Sequence, residues 1–522
     1  LTGKTTGLWQ RFSYQIADPN VALHGLLEAT ACRFGAKNAI IFGERFFSYS
    51  ELSSLSVRFA NNLLSFGVKK GDRVALFLPN VPQFIIAFFG ALNAGAVVTA
   101  ISPLHREREV KFQLVDSGAE TIVTLDTMQP IVEAVKESTH LKRIIIATLE
   151  DVGFSKLLKG ASTEKHSVKI EPIADLAVLQ YTGGTTGTPK AVMLTHRNLL
   201  SNAIQFAIAI KAVSQDVFLA ALPLFHIYGL TTSMTVPISV GAPMVLLQKF
   251  EPNKACEAIQ WNKVTIFCGV PKMFQLLLAK LDFTRYNLST LRVCISGAAS
   301  LPPQVQKDFM AATGGLLAEG YGLSEASPVT HCSPVDRGLD LRVGSIGLPL
   351  PDTEARIVDA ETGQMVLGVG EVGELVVKGP QVMLGYWQSP QETAAVLRDR
   401  WLLTGDIAKI DADGYFYIVD RKKDLIKHNG YSVYPRELED IFYEHPTVMH
   451  CSVVGKPSAE AGENPTAYIV IKEGATVTAE ELKDFVNSKV AAYKAIREVV
   501  FLDTLPFNAS GKVLKCALRG RT

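Results

Sequence analysis

From about residue 30 to 150, stretches of helical period alternate with short runs rich in β-branched residues. These runs, at 73–78, 96–100, 120–125 and 143–147, are predicted strands. Alternation of this kind predicts α/β layers with parallel strands. The rhythm returns after 175, with strands predicted at 176–180, 243–247, 264–267 and 291–296. The most apolar stretch, 81–102, contains Pro82, Gln83 and Asn93. It reads as a buried helix, a turn at 93–95 and a strand, not as a membrane span.

Between 341 and 420 the pattern changes to glycines and short strands, such as 354–358 and 373–378, which predicts a smaller β-rich unit. The last hundred residues change again. Leu438, Ile441 and Phe442 share one face of a helix at 436–444, and Leu482, Phe485 and Val486 share one at 481–490. With strands at 451–454, 467–471 and 498–502 they make a small α+β domain. The charged run Asp420-Arg-Lys-Lys-Asp424 before it reads as a linker. The expected organisation is a large part at 1–419, the linker 420–424 and a small part at 425–522.

Composition narrows the function. Of 522 residues, 48% are hydrophobic and 20% charged, which excludes bulk disorder. A formal net charge of +1 supplies no global field for nucleic acid. Cysteines at 32, 256, 268, 294, 332, 451 and 516 are odd in number and lack CxxC spacing. That argues for buried reduced thiols rather than a disulfide framework or a zinc site. The start at Leu1 carries no basic-then-apolar leader, so a cytoplasmic location is expected. Peripheral contact with a membrane is left open, and oligomeric state is not legible.

The sharpest local signal is Tyr181-Thr-Gly-Gly-Thr-Thr-Gly-Thr-Pro-Lys190, directly after the strand at 176–180. Glycines let the backbone turn and present N–H groups to one anion. Threonine hydroxyls add donors and Lys190 adds charge, a combination suited to a polyphosphate. It is not a Walker A loop, because no Gly-Lys-Ser/Thr closes it.

This loop resembles the phosphate loop of the AMP-forming acyl-CoA synthetase superfamily, and the resemblance runs from about 25 to 516. Further motifs stand in the family's order: Pro223-Leu-Phe-His-Ile-Tyr-Gly229, Glu319-Gly-Tyr-Gly-Leu-Ser-Glu325, Thr404-Gly-Asp406, Asp420-Arg421 through Gly430, and Pro506 through Gly511-Lys512. Three departures keep every reacting group: Ser324 stands for a frequent Thr, Ala191 for Gly and Ser300 for Pro.

The resemblance implies a large N-terminal domain of layered α/β subdomains with a β-rich subdomain, and a small mobile α+β lid. It implies activation of a carboxylic acid by ATP with Mg2+, giving acyl-AMP and pyrophosphate, then transfer to the thiol of coenzyme A. Thr182, Gly183, Gly184, Thr185, Thr186, Gly187 and Lys190 would hold the phosphates. Glu325 and Thr185 would meet the metal. Gly297, Ala298, Glu319, Gly320, Tyr321 and Ser324 would border the adenine, and Asp406 and Arg421 the ribose. Lys512 would stabilise the charge of adenylate formation. His226, Tyr228 and Gly229 would line the acid pocket, Asn429 and Gly430 would meet the pantetheine arm, and Lys423 would be the hinge.

The apolar Leu230, Met234, Leu323 and Val329 point to an aliphatic acid, and the loop looks most like that of fatty-acid–CoA ligases. A 4-coumarate-type aryl acid, or a carrier protein as acceptor, are the alternatives. A non-catalytic relative that only binds nucleotide is opposed by the retained Lys190, Glu325, Asp406, Arg421 and Lys512.

Overall fold

The computed structural model describes residues 21–166, 168–182, 189–280, 285–336, 341–458, 460–507 and 513–520. The chain forms two compact units. The first takes the chain up to Arg342 with Leu348–Glu354 and Lys378–Leu402. The second takes Val343–Gly347, Ala355–Val377 and the chain from Leu403 onward. The second unit thus holds more than the segment from 425, because most of the β-rich region clusters with it.

The first unit is built on two sheets. One has seven strands, in the order Gly385–Tyr386, Lys190–Thr195, Leu176–Thr182, Val97–Ala100, Arg73–Phe77, Thr121–Leu125 and Arg143–Ala147. The last five are parallel, and the first two close the edge antiparallel. Val97–Ala100 and Thr121–Leu125 are buried at every position, which is why they read as unbroken apolar runs. Helix Pro82–Asn93 is buried on nearly all sides, as an apolar helix without a polar face must be. Its proline sits in the first turn, where no helical N–H is lost.

The other sheet has nine strands, and its centre is parallel. Ile266–Gly269, Val293–Ser296 and Leu316–Gly322 lie side by side, in register Ile266↔Val293↔Leu316. Gly297 and Ala298 follow the carboxyl end of Val293–Ser296, and Glu319–Tyr321 form the carboxyl-terminal part of Leu316–Gly322, with Glu319 opposite Ser296. Ligands of parallel α/β sheets bind at such ends.

In the second unit, strands Tyr431–Val433, Ile426–His428, Gly462–Ile471 and Val448–Ser458 form a sheet, and Glu498–Phe501 joins Gly462–Ile471 in parallel. Helices Pro435–Tyr443 and Ala479–Asn487 bury Leu438, Phe442, Leu482 and Val486 with Ile426, Val453 and Ile469. Ile441 and Phe485 pack at the margin of the same core. A small sheet including Gly373–Lys378, Trp401–Ile410 and Phe416–Arg421 lies mainly in this unit.

Two expectations need correction. The run 420–424 is not a solvated linker. Asp420 and Arg421 end a strand paired with Trp401–Ile410, and Lys422–Asp424 form one 3-10 turn. Asp420 is buried because its carboxylate accepts the N–H groups of Arg421 at 2.7 Å and Arg436 at 2.8 Å. Buried thiols hold for five cysteines, whereas Cys32 and Cys516 are exposed on their helices. Among the described residues, no helix is long and apolar enough to cross a membrane.

Candidate active site

Strand Leu176–Thr182 turns back on Lys190–Thr195, with Thr182 opposite Lys190 and Tyr181 opposite Ala191. Gly183, Gly184, Thr185, Thr186 and Gly187 lie outside the described residues. The hairpin fixes the loop's two ends. Thr182 Oγ1 donates to the Lys190 carbonyl at 3.4 Å, and the Tyr181 phenol donates to the Asp116 carboxylate. The indole N–H of Trp387 donates to the Asp116 carbonyl at 3.1 Å, and the Trp387 N–H donates to Ala191 O at 2.8 Å. Asp116 therefore ties the loop's first strand to the Gly385–Trp387 segment.

That segment also joins Lys190 to Glu325. The Lys190 ammonium sits 5.5 Å from the Tyr386 ring centroid and 2.7 Å from Glu392 Oε1. The Tyr386 hydroxyl donates to Glu325 Oε1 at 2.7 Å. Burial, reinforced by the Glu325 carboxylate, raises the Tyr386 phenol well above its ordinary pKa, so it stays a donor. Glu325 lies in the turn Ser324–Ala326, held where the Met383 N–H donates to Glu325 O at 2.8 Å.

The donor set suits one kind of metal. Among the described residues, no group of three or more His, Cys, Asp or Glu side chains could cage an ion. Glu325 Oε2 makes no hydrogen bond to another described residue. A single carboxylate such as Glu325 fits Mg2+ carried on phosphates, which keeps waters and takes one or two protein carboxylates.

The segment leading to His226 is clamped by buried Asn80, which donates to Leu222 O and accepts the Leu224 N–H, both at 2.8 Å. Gln180 Nε2 donates to Phe225 O at 3.3 Å. His226 Nδ1 then accepts the Tyr228 N–H at 3.2 Å and caps the turn Ile227–Gly229. A π-helical turn, Leu230–Thr235, continues it, a geometry frequent at functional sites. Gly229 is required by close approach: a Cβ there would lie 2.1 Å from Pro223 O.

Tyr228 reaches across to the ends of two parallel strands. Its hydroxyl donates to Ile295 O at 3.2 Å and lies 3.4 Å from Gly269 O. Gly297 faces that phenol, and a Cβ there would come within 2.9 Å of the Tyr228 oxygen. Ala298 follows with a left-handed backbone, φ 67°. Glu319 is buried, Gly320 pairs with Cys332, and the Tyr321 ring meets His331 edge-on at 5.9 Å. The first unit thus carries Lys190, Glu325 and Tyr228 together with Gly297, Ala298 and Glu319–Tyr321.

The second unit carries another set. Asp406 and Arg421 face each other across paired strands, with Arg421 Nε 3.4 Å from Asp406 Oδ1. Buried Glu374 accepts the Gly405 N–H at 3.0 Å and pairs with Lys422 at 2.9 Å, so one carboxylate steadies the neighbours of both. Asn429, φ 51°, and Gly430, φ 80°, form the tight turn between Ile426–His428 and Tyr431–Val433. Lys423 is exposed, and its carbonyl accepts from Arg519 at 3.4 Å. Lys512 lies outside the described residues.

The sequence motifs named Lys190, Glu325, Asp406 and Arg421; they did not name Tyr386, Glu392, Asp116, Asn80 and Glu374, which hold these residues and their neighbouring segments. The pair Gly385-Tyr386, following a glycine-bearing strand, was the one local signal available.

Comparison with known proteins agrees over nearly the whole chain. Residues 27–387 match the family described as AMP-binding enzyme, and 437–512 match the AMP-binding enzyme C-terminal domain. A long-chain-fatty-acid–CoA ligase of Bacillus subtilis (strain 168) is 41% identical, covering 96% of this chain and 95% of its own. 4-Coumarate–CoA ligase 1 of Solanum tuberosum is 35% identical, covering 96% and 94%. The crystal structure of ATP-bound MatB from Rhodopseudomonas palustris superposes with a TM-score of 0.88 at 31% identity, over 96% of this chain and 98% of that one.

Proposed function

The chain belongs to the AMP-forming acyl-CoA synthetase superfamily, and from that premise we propose that it activates a fatty acid of medium to long chain. It is an AMP-forming acyl-CoA ligase, and its reaction uses ATP, Mg2+ and coenzyme A. The difficulty of the first step is electrostatic: a carboxylate must approach the α-phosphate of a polyanion.

In our reading Lys190 and the loop from Thr182 to Gly187 hold the β/γ-phosphates, and Glu325 with Thr185 would hold the Mg2+. That ion would neutralise phosphate charge. Tyr386 keeps Glu325 oriented through its hydroxyl. Gly297, Ala298, Glu319, Gly320, Tyr321 and Ser324 border the adenine, and Asp406 with Arg421 receives the ribose hydroxyls. Lys512 meets the incoming carboxylate and the α-phosphate. The 425–522 segment then turns about Lys423 and brings Asn429 and Gly430 to the pantetheine arm, so the acid is committed before the thiol is admitted.

The observation that carries the fatty-acid reading is the 41% identity to a long-chain-fatty-acid–CoA ligase, against 35% to a 4-coumarate–CoA ligase. The pocket segment supports it. Leu230 and Met234 are fully buried, Val329 nearly so, and none can pair with a charge. Each buried methylene contributes roughly 0.8 kcal/mol, so KM should fall with chain length until the pocket is full. The second reading, an aryl acid, rests on the coumarate relative and on the Tyr228 phenol in the pocket wall.

The test is kcat/KM for octanoate, palmitate and 4-coumarate, with products identified by mass. Preference for either fatty acid supports the proposal, and clear preference for 4-coumarate overturns it. Acyl-CoA formed with CoA alone separates a CoA ligase from one that loads a carrier protein.

A further inference from the structure

Glu392 makes one strong interaction, and it is with Lys190. The helix Pro390–Val396 that carries it is fastened to the same segment as Tyr386. Thr393 Oγ1 accepts the Tyr386 N–H at 2.8 Å and donates to Ser389 O at 2.9 Å. This places Glu392 Oε1 2.7 Å from the Lys190 ammonium, with side-chain exposures of 44% and 23%. The lysine is thus already paired with an oxygen anion.

Glu374 shows by contrast what an anchored structural carboxylate looks like here. It is buried, accepts a backbone N–H and holds a second cation. Glu392 is half-exposed and, among the described residues, bonds only to Lys190. A solvated pair of this kind contributes little and is readily broken. A phosphate group carries more charge than a carboxylate and offers more acceptor oxygens, so it outcompetes Glu392 for the lysine. Once displaced, the Glu392 carboxylate remains on its fastened helix, near the bound anion.

We infer that Glu392 is an internal counter-ion for Lys190: it occupies the lysine before nucleotide binds, yields to the phosphates, and reclaims the lysine as pyrophosphate leaves. This rests on the assignment of Lys190 to the phosphates. No bond is made or broken in the exchange. Its consequence is that Glu392 weakens binding of both ATP and pyrophosphate and hastens pyrophosphate departure.

The test is Glu392→Gln, with Glu392→Ala as a second variant. Calorimetric titration of the ligand-free protein with inorganic pyrophosphate and Mg2+ should give about 2–5-fold tighter binding in both variants, the range that loss of a surface ion pair allows. KM for ATP should fall by a similar factor, and product inhibition by pyrophosphate should strengthen. Glu392→Asp, which keeps the charge, should stay near the parent. Unchanged or weaker pyrophosphate binding in the Gln and Ala variants overturns the inference. A parent protein that neither binds pyrophosphate nor turns over any acid overturns the assignment of Lys190 instead.

Discussion

Arg519 Nη2 lies 2.8 Å from Asp424 Oδ1 and donates to the Lys423 carbonyl, so the last helix is fastened to the 420–424 turn. Lys515, one turn earlier, pairs with Glu439 at 2.8 Å, both side chains partly covered, and lies near Asp420. The proposed pivot is therefore held on one side by its own strand and on the other by the chain's end. Proline at 423 would lock φ at about −65° within this braced turn. Lys423→Pro should keep acyl-AMP formation and lose thioester formation, measured as separate half-reactions. If Lys423 is only a solvated side chain, both half-reactions stay near the parent rate.

Lys515 offers a stability test of the same region. Removing one partner of a largely covered ion pair leaves an uncompensated charge, at a cost below the roughly 3–5 kcal/mol of a fully buried pair. Lys515→Met should strand Glu439, which also accepts the Val453 N–H at 2.7 Å. The second unit should melt earlier in the variant. The double variant Lys515→Met/Glu439→Gln should recover part of the loss, and no recovery would mean the pair is not the cause.

Lys512 is tested through chemistry alone. If it meets the carboxylate and the α-phosphate, Lys512→Ala should slow acyl-AMP formation by at least about 10²–10³-fold, as loss of one stabilising donor does elsewhere. Thioester formation from supplied acyl-AMP should largely survive. Equal loss in both half-reactions would remove the adenylation-only role.

The parts of the fold that were legible share a physical cause. The runs at 73–78 and 120–125 are buried on both faces, so composition alone marked them. The faces of Leu438 and Leu482 were legible because a half-buried helix repeats its apolar positions. Strand Val448–Ser458 outran its expected 451–454 because Lys456 and Pro457 break the apolar run while the long hairpin with Gly462–Ile471 continues. Asp420 misled because charge runs usually face water, and the N–H of Arg436 that buries it is a tertiary partner. Lys190, Glu325 and Asp406 stood in motifs. Tyr386, Glu392 and Glu374 act through partners distant in sequence, and no local pattern encodes such a partner.

Glu374 should matter to nucleotide binding without touching the nucleotide. Its carboxylate holds the Gly405 N–H beside Asp406 and the Lys422 ammonium beside Arg421. Glu374→Gln keeps an acceptor for Gly405 but loses the ion pair, whereas Glu374→Ala loses both. KM for ATP should rise in the order parent, Gln, Ala, with the Ala variant destabilised by about 1–3 kcal/mol for the unmet N–H. A fall in thermal stability with no change in KM for ATP would leave Glu374 a purely structural residue.

Acid stability follows from histidines folded into apolar surroundings. Burial lowers His24 to about 4, with Lys165 adding to the effect. Burial likewise lowers His196 to about 3, with His24 adding, and lowers His331 to about 3. In the unfolded chain each would titrate near 6.5. Between about pH 6.5 and 4 the unfolded chain therefore binds up to three protons that the folded chain refuses, and stability falls as pH falls. Asp420 works the other way. Burial raises it to about 6, so over pH 6 to 4 the folded chain holds one proton that the unfolded chain lacks. His105 is lowered by burial as well and Asp440 raised by it, so four histidines outnumber two carboxylates, and each unopposed proton changes stability by about 1.4 kcal/mol per pH unit. The unfolding midpoint should be steady above pH 7 and drop steeply from 6.5 to 5. His24 meets His196 edge-on at 5.9 Å, so a phenyl ring can take its place. His24→Phe should flatten that drop by about one proton's worth, read from denaturant melts at each pH. A slope the substitution does not change would show that His24 is protonated in the folded chain.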